Sequence, residues 1–129
     1  MKYLAIIYND ESLYIDATPE QTAEIFAAHG AFGEAAGKAG VFVGGEGLQG
    51  TNTATVVRVR DGERMLTDGP YAETKEQIGG FYLLECKDLD DALNWASQIP
   101  EAKTGSIEVR PVIDYTAIEG AMDSSGASA

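Results

Sequence analysis

The chain carries little positive charge. Its 129 residues contain 9 lysines and arginines against 21 aspartates and glutamates, which gives a formal net charge of −12. Proteins that bind a nucleic-acid backbone need clustered cations. The one local basic cluster, Arg58, Arg60 and Arg64, is interrupted by Asp61 and Glu63. The composition therefore argues against a nucleic-acid partner, although one pocket could still bind a small anion.

Cysteine and histidine each occur once, as Cys86 and His29. A single cysteine excludes an intrachain disulfide. Because Cys86 lies in an apolar stretch, we interpret it as a buried, inert thiol. A zinc or iron site would need more His and Cys than the chain has, so we expect no cofactor and no such metal. A magnesium or calcium site built from carboxylates alone stays open.

Long hydrophobic runs are also missing. No stretch approaches the length needed to cross a membrane, and the apolar start from Tyr3 to Tyr8 is too short for a signal peptide. We therefore expect no membrane partner and a cytoplasmic location.

The hydrophobic pattern predicts one α+β domain over residues 1–118 and a flexible Gly-, Ser- and Ala-rich tail over 119–129. Predicted strands cover 2–8, 41–44, 53–60, 63–67, 79–86 and 106–112. Thr18-Pro19-Glu20-Gln21 predicts a capped helix start, with the helix ending near Lys38, and Asp88 caps a second helix to Ile99. This β-α-β, hairpin, β-α-β order fits a ferredoxin-like fold with its helices on one sheet face.

Helical spacing predicts which side chains face the sheet. The inward residues are Ile25, Ala28, Phe32, Ala35, Ala36 and Ala39 in the first helix, and Leu89, Ala92, Leu93 and Ala96 in the second, with Trp95 at the edge. Strands 3–7 and 81–86 are apolar on both faces, but helices can cover only one. An uncovered apolar face is typical of a partner surface, so we predict a homodimer whose sheets pack face to face.

One glycine-rich loop matches a dinucleotide-binding sequence motif but lacks the helix that should follow that motif. Gly45 to Gly50 reads G-x-G-x-x-G after a strand, but Thr51-Asn52-Thr53 leads into another strand rather than a helix. Without a helix N-terminus, the loop lacks the free backbone amides that bind a pyrophosphate. We expect a flexible loop instead.

His29 lies on the inward stripe of the first predicted helix, between Ile25 and Phe32. Three interpretations stay open: a core histidine bonded to a backbone group or carboxylate, a general acid or base at the helix–sheet boundary, or a metal ligand.

The segment from Asp68 to Gly80 is dense in charge, glycine and proline, and it stands directly before the apolar run 81–84. Asp68-Gly69-Pro70 can be a plain turn, and Glu73, Lys75 and Glu76 can be a solvated loop. The segment is nevertheless longer and richer in charge than a turn requires, so we select it as the candidate site.

The string from Asp68 to Tyr82 resembles the signature of the YCII-related proteins, specifically the DGPF subgroup, with Tyr71 in place of the Phe in that name. Gly40 to Leu48 and Ile107 to Pro111 also match, and the similarity spans about residues 1–115. The resemblance implies a ferredoxin-like dimeric α+β barrel. It further implies a His–Asp pair, for which His29 and Asp68 are the matching positions.

Two functions follow from these residues and the resemblance. In the first, a lyase or isomerase without a cofactor binds a small anionic or polar ligand. His29 moves a proton and Asp68 orients it, and the substrate-binding residues are Tyr71, Glu73, Lys75, Glu76, Arg58 and Arg110. In the second, the chain is a non-catalytic ligand-sensing or protein-binding module, for example one associated with sigma-factor transcription control.

Overall fold

The protein is a mixed α+β structure, described here by a computed structural model that covers residues 1–122. Its strands are β1 (Lys2–Asn9), β2 (Phe42–Gly47), β3 (Thr55–Arg60), β4 (Glu63–Asp68), β5 (Gln77–Glu85) and β6 (Ser106–Pro111). Its helices are α1 (Ser12–Ile15), α2 (Pro19–Lys38), α3 (Leu89–Ala96) and α4 (Tyr115–Met122), and short 3₁₀ turns cover Thr51–Thr53 and Pro100–Ala102. The predicted strands and both long helices are present with ends shifted by a few residues, and α1 lies between the first predicted strand and the first predicted helix.

Four strands form one antiparallel sheet in the order β2-β5-β1-β6. The first strand of the chain therefore lies at the centre of the sheet, between two strands from the second half. This topology is compatible with the ferredoxin-like plan. It places the end of β1 next to the turn that precedes β6, a neighbourhood that matters for the site.

The core lies between one face of this sheet and the helices α2 and α3. It contains Tyr3, Ala5, Ile7, Phe32, Ala36, Val41, Leu84, Cys86, Ala92, Ala96 and Ile99. Helix α2 begins with the predicted capping box, in which the Thr18 hydroxyl accepts from the Gln21 amide and the Gln21 side chain accepts from Thr18.

The inward stripes predicted for the helices are too wide. Only Phe32 and Ala36 of α2 are buried, and Leu89 and Leu93 of α3 are 47% and 46% exposed. Each helix meets the sheet along a narrow line, where small residues such as Ala92 allow close approach, so the flanking apolar side chains remain outside the contact.

The second face of the sheet points away from the core. Alternation along β1 and β5 directs Leu4, Ile6, Phe81 and Leu83 to this face, where each remains partly exposed. The face is apolar, as predicted, and its occupant stays a prediction.

Strands β3 and β4 form a separate two-stranded sheet. Asp61 and Gly62 turn the hairpin with positive φ values of 52° and 77°, the geometry that the Asp-Gly signal predicts. Val57 and Leu66 on these strands are each 59% exposed.

The predicted tail is described only in part. Residues 119–122 belong to α4, and residues 123–129 lie outside the described residues. Within residues 1–122, no helix is both long enough and apolar enough to span a bilayer.

Candidate functional site

Both ring nitrogens of His29 are hydrogen-bonded to other side chains. Nδ1 lies 2.7 Å from the Tyr82 hydroxyl, and Nε2 lies 2.8 Å from Oε2 of Glu101. Helix α2 presents the ring towards the sheet, β5 supplies Tyr82, and the 3₁₀ turn before β6 supplies Glu101. Three separate parts of the chain therefore meet at one imidazole.

Glu101 is a buried carboxylate, only 5% exposed. Its Oε2 accepts from the Tyr14 hydroxyl at 2.9 Å as well as from His29. Burial alone would raise the pKa of Glu101, but the hydrogen bond and charge of His29, together with the bond from Tyr14, hold the pKa below its usual value. Glu101 is therefore ionised at neutral pH.

The second carboxylate oxygen of Glu101, Oε1, is in a different environment from Oε2. Oε1 of Glu101 is buried and finds no hydrogen-bond partner among residues 1–118, whose side chains are described. A buried acceptor without a partner costs free energy, and such groups call for an explanation, often a functional one.

Further polar groups fix the position of Glu101. Asn9, 4% exposed at the end of β1, donates from Nδ2 to the Tyr14 hydroxyl at 3.1 Å and to Oγ1 of Thr104 at 2.9 Å. Burial raises the pKa of Tyr14 to about 12, with the bond from Asn9 opposing and the charge of Glu101 adding to the shift. Tyr14 therefore stays a neutral donor, and the network holds the carboxylate from two sides.

Tyr82 is positioned by aromatic packing. Its ring centroid lies 4.8 Å from that of Phe32 and 5.9 Å from that of Phe42. Gly45 on the neighbouring strand leaves the necessary space, because a Cβ there would lie 2.6 Å from Cδ1 of Tyr82. Burial and the charge of Glu101 raise the pKa of Tyr82, so its phenol keeps its proton.

These groups border a cavity of about 450 Å³, a size typical of small-molecule sites. Its polar lining includes Asn9, Tyr14, His29, Tyr82 and Glu101, and its apolar lining includes Ile7, Ile15, Ile25, Phe26, Leu48 and Ile78. An acid–base pair at the wall of a largely apolar cavity can move a proton on a bound small molecule.

The glycine-rich loop from Gly45 to Gly50 forms another wall of this cavity. Glu11 ties the loop to the body: its carboxylate accepts from the Thr51 amide at 3.1 Å and from the Thr51 hydroxyl at 2.7 Å. A short 3₁₀ turn rather than a long helix follows the loop. The loop therefore lacks the helix N-terminus that binds the pyrophosphate in proteins with the G-x-G-x-x-G motif.

Comparisons with known proteins identify the family. The YCII-related domain matches residues 1–116 of this chain. The chain belongs to the YCII-related family. An uncharacterized protein from Rhizobium meliloti (strain 1021) is 38% identical over 117 residues, which cover 89% of this chain and 94% of that protein.

In this YCII-related chain, the charged residues of the segment supply no hydrogen-bond partner to His29. Asp68 ends β4 and is exposed, and both nitrogens of His29 are bonded to groups other than Asp68. The carboxylate beside the imidazole is thus Glu101. The roles assigned to His29 and Asp68 stay predictions, and Asp68 makes no contact here that would orient the ring.

The other predicted binding residues also lie outside the lining of the cavity. Tyr71 is 79% exposed under the guanidinium of Arg58, which lies 5.7 Å from its ring centroid. Glu73 and Lys75 are exposed, Glu76 accepts from the Ser106 hydroxyl at 3.0 Å, and Arg110 pairs with Glu108 at 3.4 Å. From this segment, only its end, Gln77 to Gly80, lines the cavity.

Sequence reasoning on this YCII-related protein missed Glu101, Tyr82, Tyr14 and Asn9. Glu101 is 72 residues from His29 in the chain, and nothing local to Pro100-Glu101-Ala102 indicates burial. Tyr82 offered the better signal, because a hydroxyl on the core face of an apolar strand needs a partner. Among residues 1–118, whose side chains the structure describes, no three His, Cys, Asp or Glu side chains form a group that could hold a metal ion.

Proposed function

We propose that the protein is a cofactor-independent lyase or isomerase that moves a proton on a small molecule bound in the cavity. One observation carries the proposal: the lone histidine is bonded to a buried, ionised carboxylate on one side and to a cavity tyrosine on the other. A carboxylate only accepts hydrogen bonds, so Nε2 of His29 carries a hydrogen. In the neutral ring, Nδ1 is then the acceptor of the Tyr82 proton.

This arrangement makes Tyr82 the group that meets the substrate. As the Tyr82 proton moves to Nδ1 of His29, the phenol oxygen takes a proton from a C–H, O–H or N–H of the substrate. The bond pair stays on the substrate, and the imidazolium that forms is stabilised by Glu101. In an isomerase, the electron pair shifts within the substrate and another substrate atom takes the proton back. In a lyase, the pair forms a double bond as the bond to the leaving group breaks, and the leaving group departs with that bond's electrons and takes the proton.

The proposal is tested by binding followed by turnover. Compounds that stabilise the protein in a thermal-shift screen are incubated with it in deuterated water, and proton NMR reports exchange, migration or elimination. We expect at least one bound compound to react, with the rate lowered about 10²–10⁴-fold in Tyr82→Phe. Glu34→Gln, on the exposed side of α2, is the control. Bound compounds that all stay unchanged would overturn the proposal.

A non-catalytic ligand sensor is the second candidate, favoured by one feature. His29 uses both nitrogens inside the protein, so the imidazole itself has no free atom for a ligand. The same experiment separates the two: a sensor binds compounds in the cavity without changing them.

We also propose that two copies pair through the apolar sheet face of Leu4, Ile6, Phe81 and Leu83. Its support is the partial exposure of these side chains on the side away from the helices. Size-exclusion chromatography with light scattering should give twice the chain mass. Leu83→Glu should give the single mass, and Leu93→Glu, on the exposed side of α3, should not. A single-chain mass for the unaltered protein at micromolar concentration would contradict the pairing.

The string from Asp68 to Tyr82 supports assignment to the DGPF subgroup, which is likewise a proposal. The cytoplasmic location stays a prediction.

A further inference from the structure

We propose that the cavity selects a ligand without negative charge, one with an apolar body that ends in a hydroxyl or amino group able to donate a hydrogen bond. The inference rests on the proposed function for the position of the ligand, and it requires no turnover. It narrows the small anionic or polar ligand expected from the sequence to a polar one without negative charge.

The charged residues that line the cavity argue against a negatively charged ligand. The described lining residues include Glu11, Glu46 and Glu101 but no lysine or arginine. Glu11 is engaged by Thr51 and Glu46 is exposed, so the decisive charge is the buried Glu101. An anion brought beside it would lose water, would find no lysine or arginine in the lining, and would be repelled by the carboxylate.

The hydrogen-bond donors near Glu101 argue for a ligand that itself donates. The side-chain donors of Asn9, Tyr14, His29 and Tyr82 are already used within the protein. Asn9 spends both Nδ2 hydrogens on Tyr14 and Thr104, Tyr14 donates to Glu101, and Nε2 of His29 donates to the same carboxylate. With neutral His29, the proton of Tyr82 is spent on Nδ1.

What remains unpaired at this end is a set of acceptors. Oε1 of Glu101 is buried without a partner among residues 1–118, and the hydroxyl oxygen of Tyr82 keeps lone-pair capacity. A ligand that donates to the Tyr82 oxygen, or that reaches Oε1 from the cavity that Glu101 lines, satisfies these acceptors. A ligand that only accepts leaves them unpaired. Sites built on buried polar groups discriminate strongly against ligands that leave those groups unpaired.

The apolar side chains that line the cavity argue for a ligand with an apolar body. Ile15 and Phe26 line the cavity although they are 65% and 72% exposed, so its outer part is apolar too. Exposed hydrophobic side chains around a cavity favour a ligand with a hydrocarbon or aromatic body.

The test uses four probes of similar shape: 2-phenylethylamine, 2-phenylethanol, the methyl ether of 2-phenylethanol, and phenylacetate. Their dissociation constants are measured on the full chain by protein-observed NMR titration, with the signals of Tyr82 and His29 marking the cavity. We expect the amine and the alcohol to bind at least about tenfold more tightly than phenylacetate and the ether.

Two variants locate the cause. Glu101→Gln keeps an acceptor for His29 but removes the charge, so the preference for the amine over phenylacetate should fall to about threefold or less. Glu34→Gln removes the same charge at an exposed site on α2 and should leave the preference unchanged. Its carboxylate pairs with Lys38 at 3.1 Å, away from the cavity lining.

Tighter binding of phenylacetate or of the ether, equal binding of all four, or no binding at millimolar concentration would each overturn the inference. These outcomes are separate from those of the turnover experiment. Selective binding without any reaction would reject the enzyme and keep the ligand class, and reaction of an anionic compound would do the reverse.

Discussion

Two polar regions of this protein hold their charges in different ways. Around Glu101, a buried carboxylate is bonded to His29 and Tyr14, and these contacts join parts of the chain that are far apart in sequence. In the segment from Asp68 to Glu76, charges are more numerous but mostly exposed, and one hydrogen bond, from the Thr74 hydroxyl to the Glu76 carbonyl, is made within the segment itself. A high density of charge along the sequence therefore identifies a conspicuous segment. Burial of a charge, and its hydrogen bonds to residues distant in sequence, identify the better candidate for an acid–base role.

The largest effect separating the two regions should come from removing one carboxylate in each. Glu101→Ala leaves Nε2 of His29 and the Tyr14 hydroxyl without their acceptor. We expect it to lower the free energy of unfolding by about 3 kcal/mol. Glu73→Ala, at an exposed position, should change it by less than about 0.5 kcal/mol. Urea denaturation of both variants measures the difference, and equal losses would remove the distinction.

A second effect comes from the packing that holds Tyr82. The added methyl group of Gly45→Ala would lie 2.6 Å from the Tyr82 ring and 2.7 Å from the Phe81 carbonyl oxygen. We expect a loss of about 1–3 kcal/mol. Gly47→Ala on the same strand meets nothing within 4 Å and is the matched control, expected to be neutral or slightly stabilising. A harmless Gly45→Ala would show that Tyr82 is not held as described.

The pH dependence of stability should show the buried carboxylate directly. Because the folded-state pKa of Glu101 lies below its usual value of 4.5, its contribution is complete above that pH and is lost as the pH falls through the folded-state value. Glu101→Gln should therefore lose less stability than the unaltered protein on acidification below pH 4.5. Thermal melts across this range measure it, and parallel curves would contradict the assignment.

The smallest effect should come from the exposed segment. Tyr71→Ala removes the ring that lies 5.7 Å from the Arg58 guanidinium. Because this contact is exposed, we expect a loss of about 0.5 kcal/mol or less. A loss of several kcal/mol by urea denaturation would mean that the segment is structurally as important as the site around Glu101.

The fold was largely predictable because its signals are local. The capping box at Thr18, the Asp61-Gly62 turn and the apolar strands each determine structure within a few residues, and the order of elements then limits the topology. The widths of the helix contacts were not predictable, because they depend on how closely small residues such as Ala92 approach the sheet.

The site was predictable only at His29. Its helical spacing placed the ring at the boundary between α2 and the sheet, but the choice of its carboxylate partner depended on tertiary structure. Asp68 stands in a conspicuous motif, whereas Glu101 follows an unremarkable Ile99-Pro100 turn. The turn lies beside the end of β1 only because the last strand returns to pair with the first, and no periodicity reports that pairing.

The central claim is that His29 links a carboxylate acceptor to a phenol donor. Because the chain contains one histidine, nitrogen-15 NMR of histidine-labelled protein at about pH 8 reports this ring alone. The account predicts that the ring hydrogen is on Nε2, with an Nδ1 signal that shifts in Tyr82→Phe and an Nε2 proton that shifts in Glu101→Gln. A ring protonated at Nδ1, or one that responds to neither substitution, would contradict it.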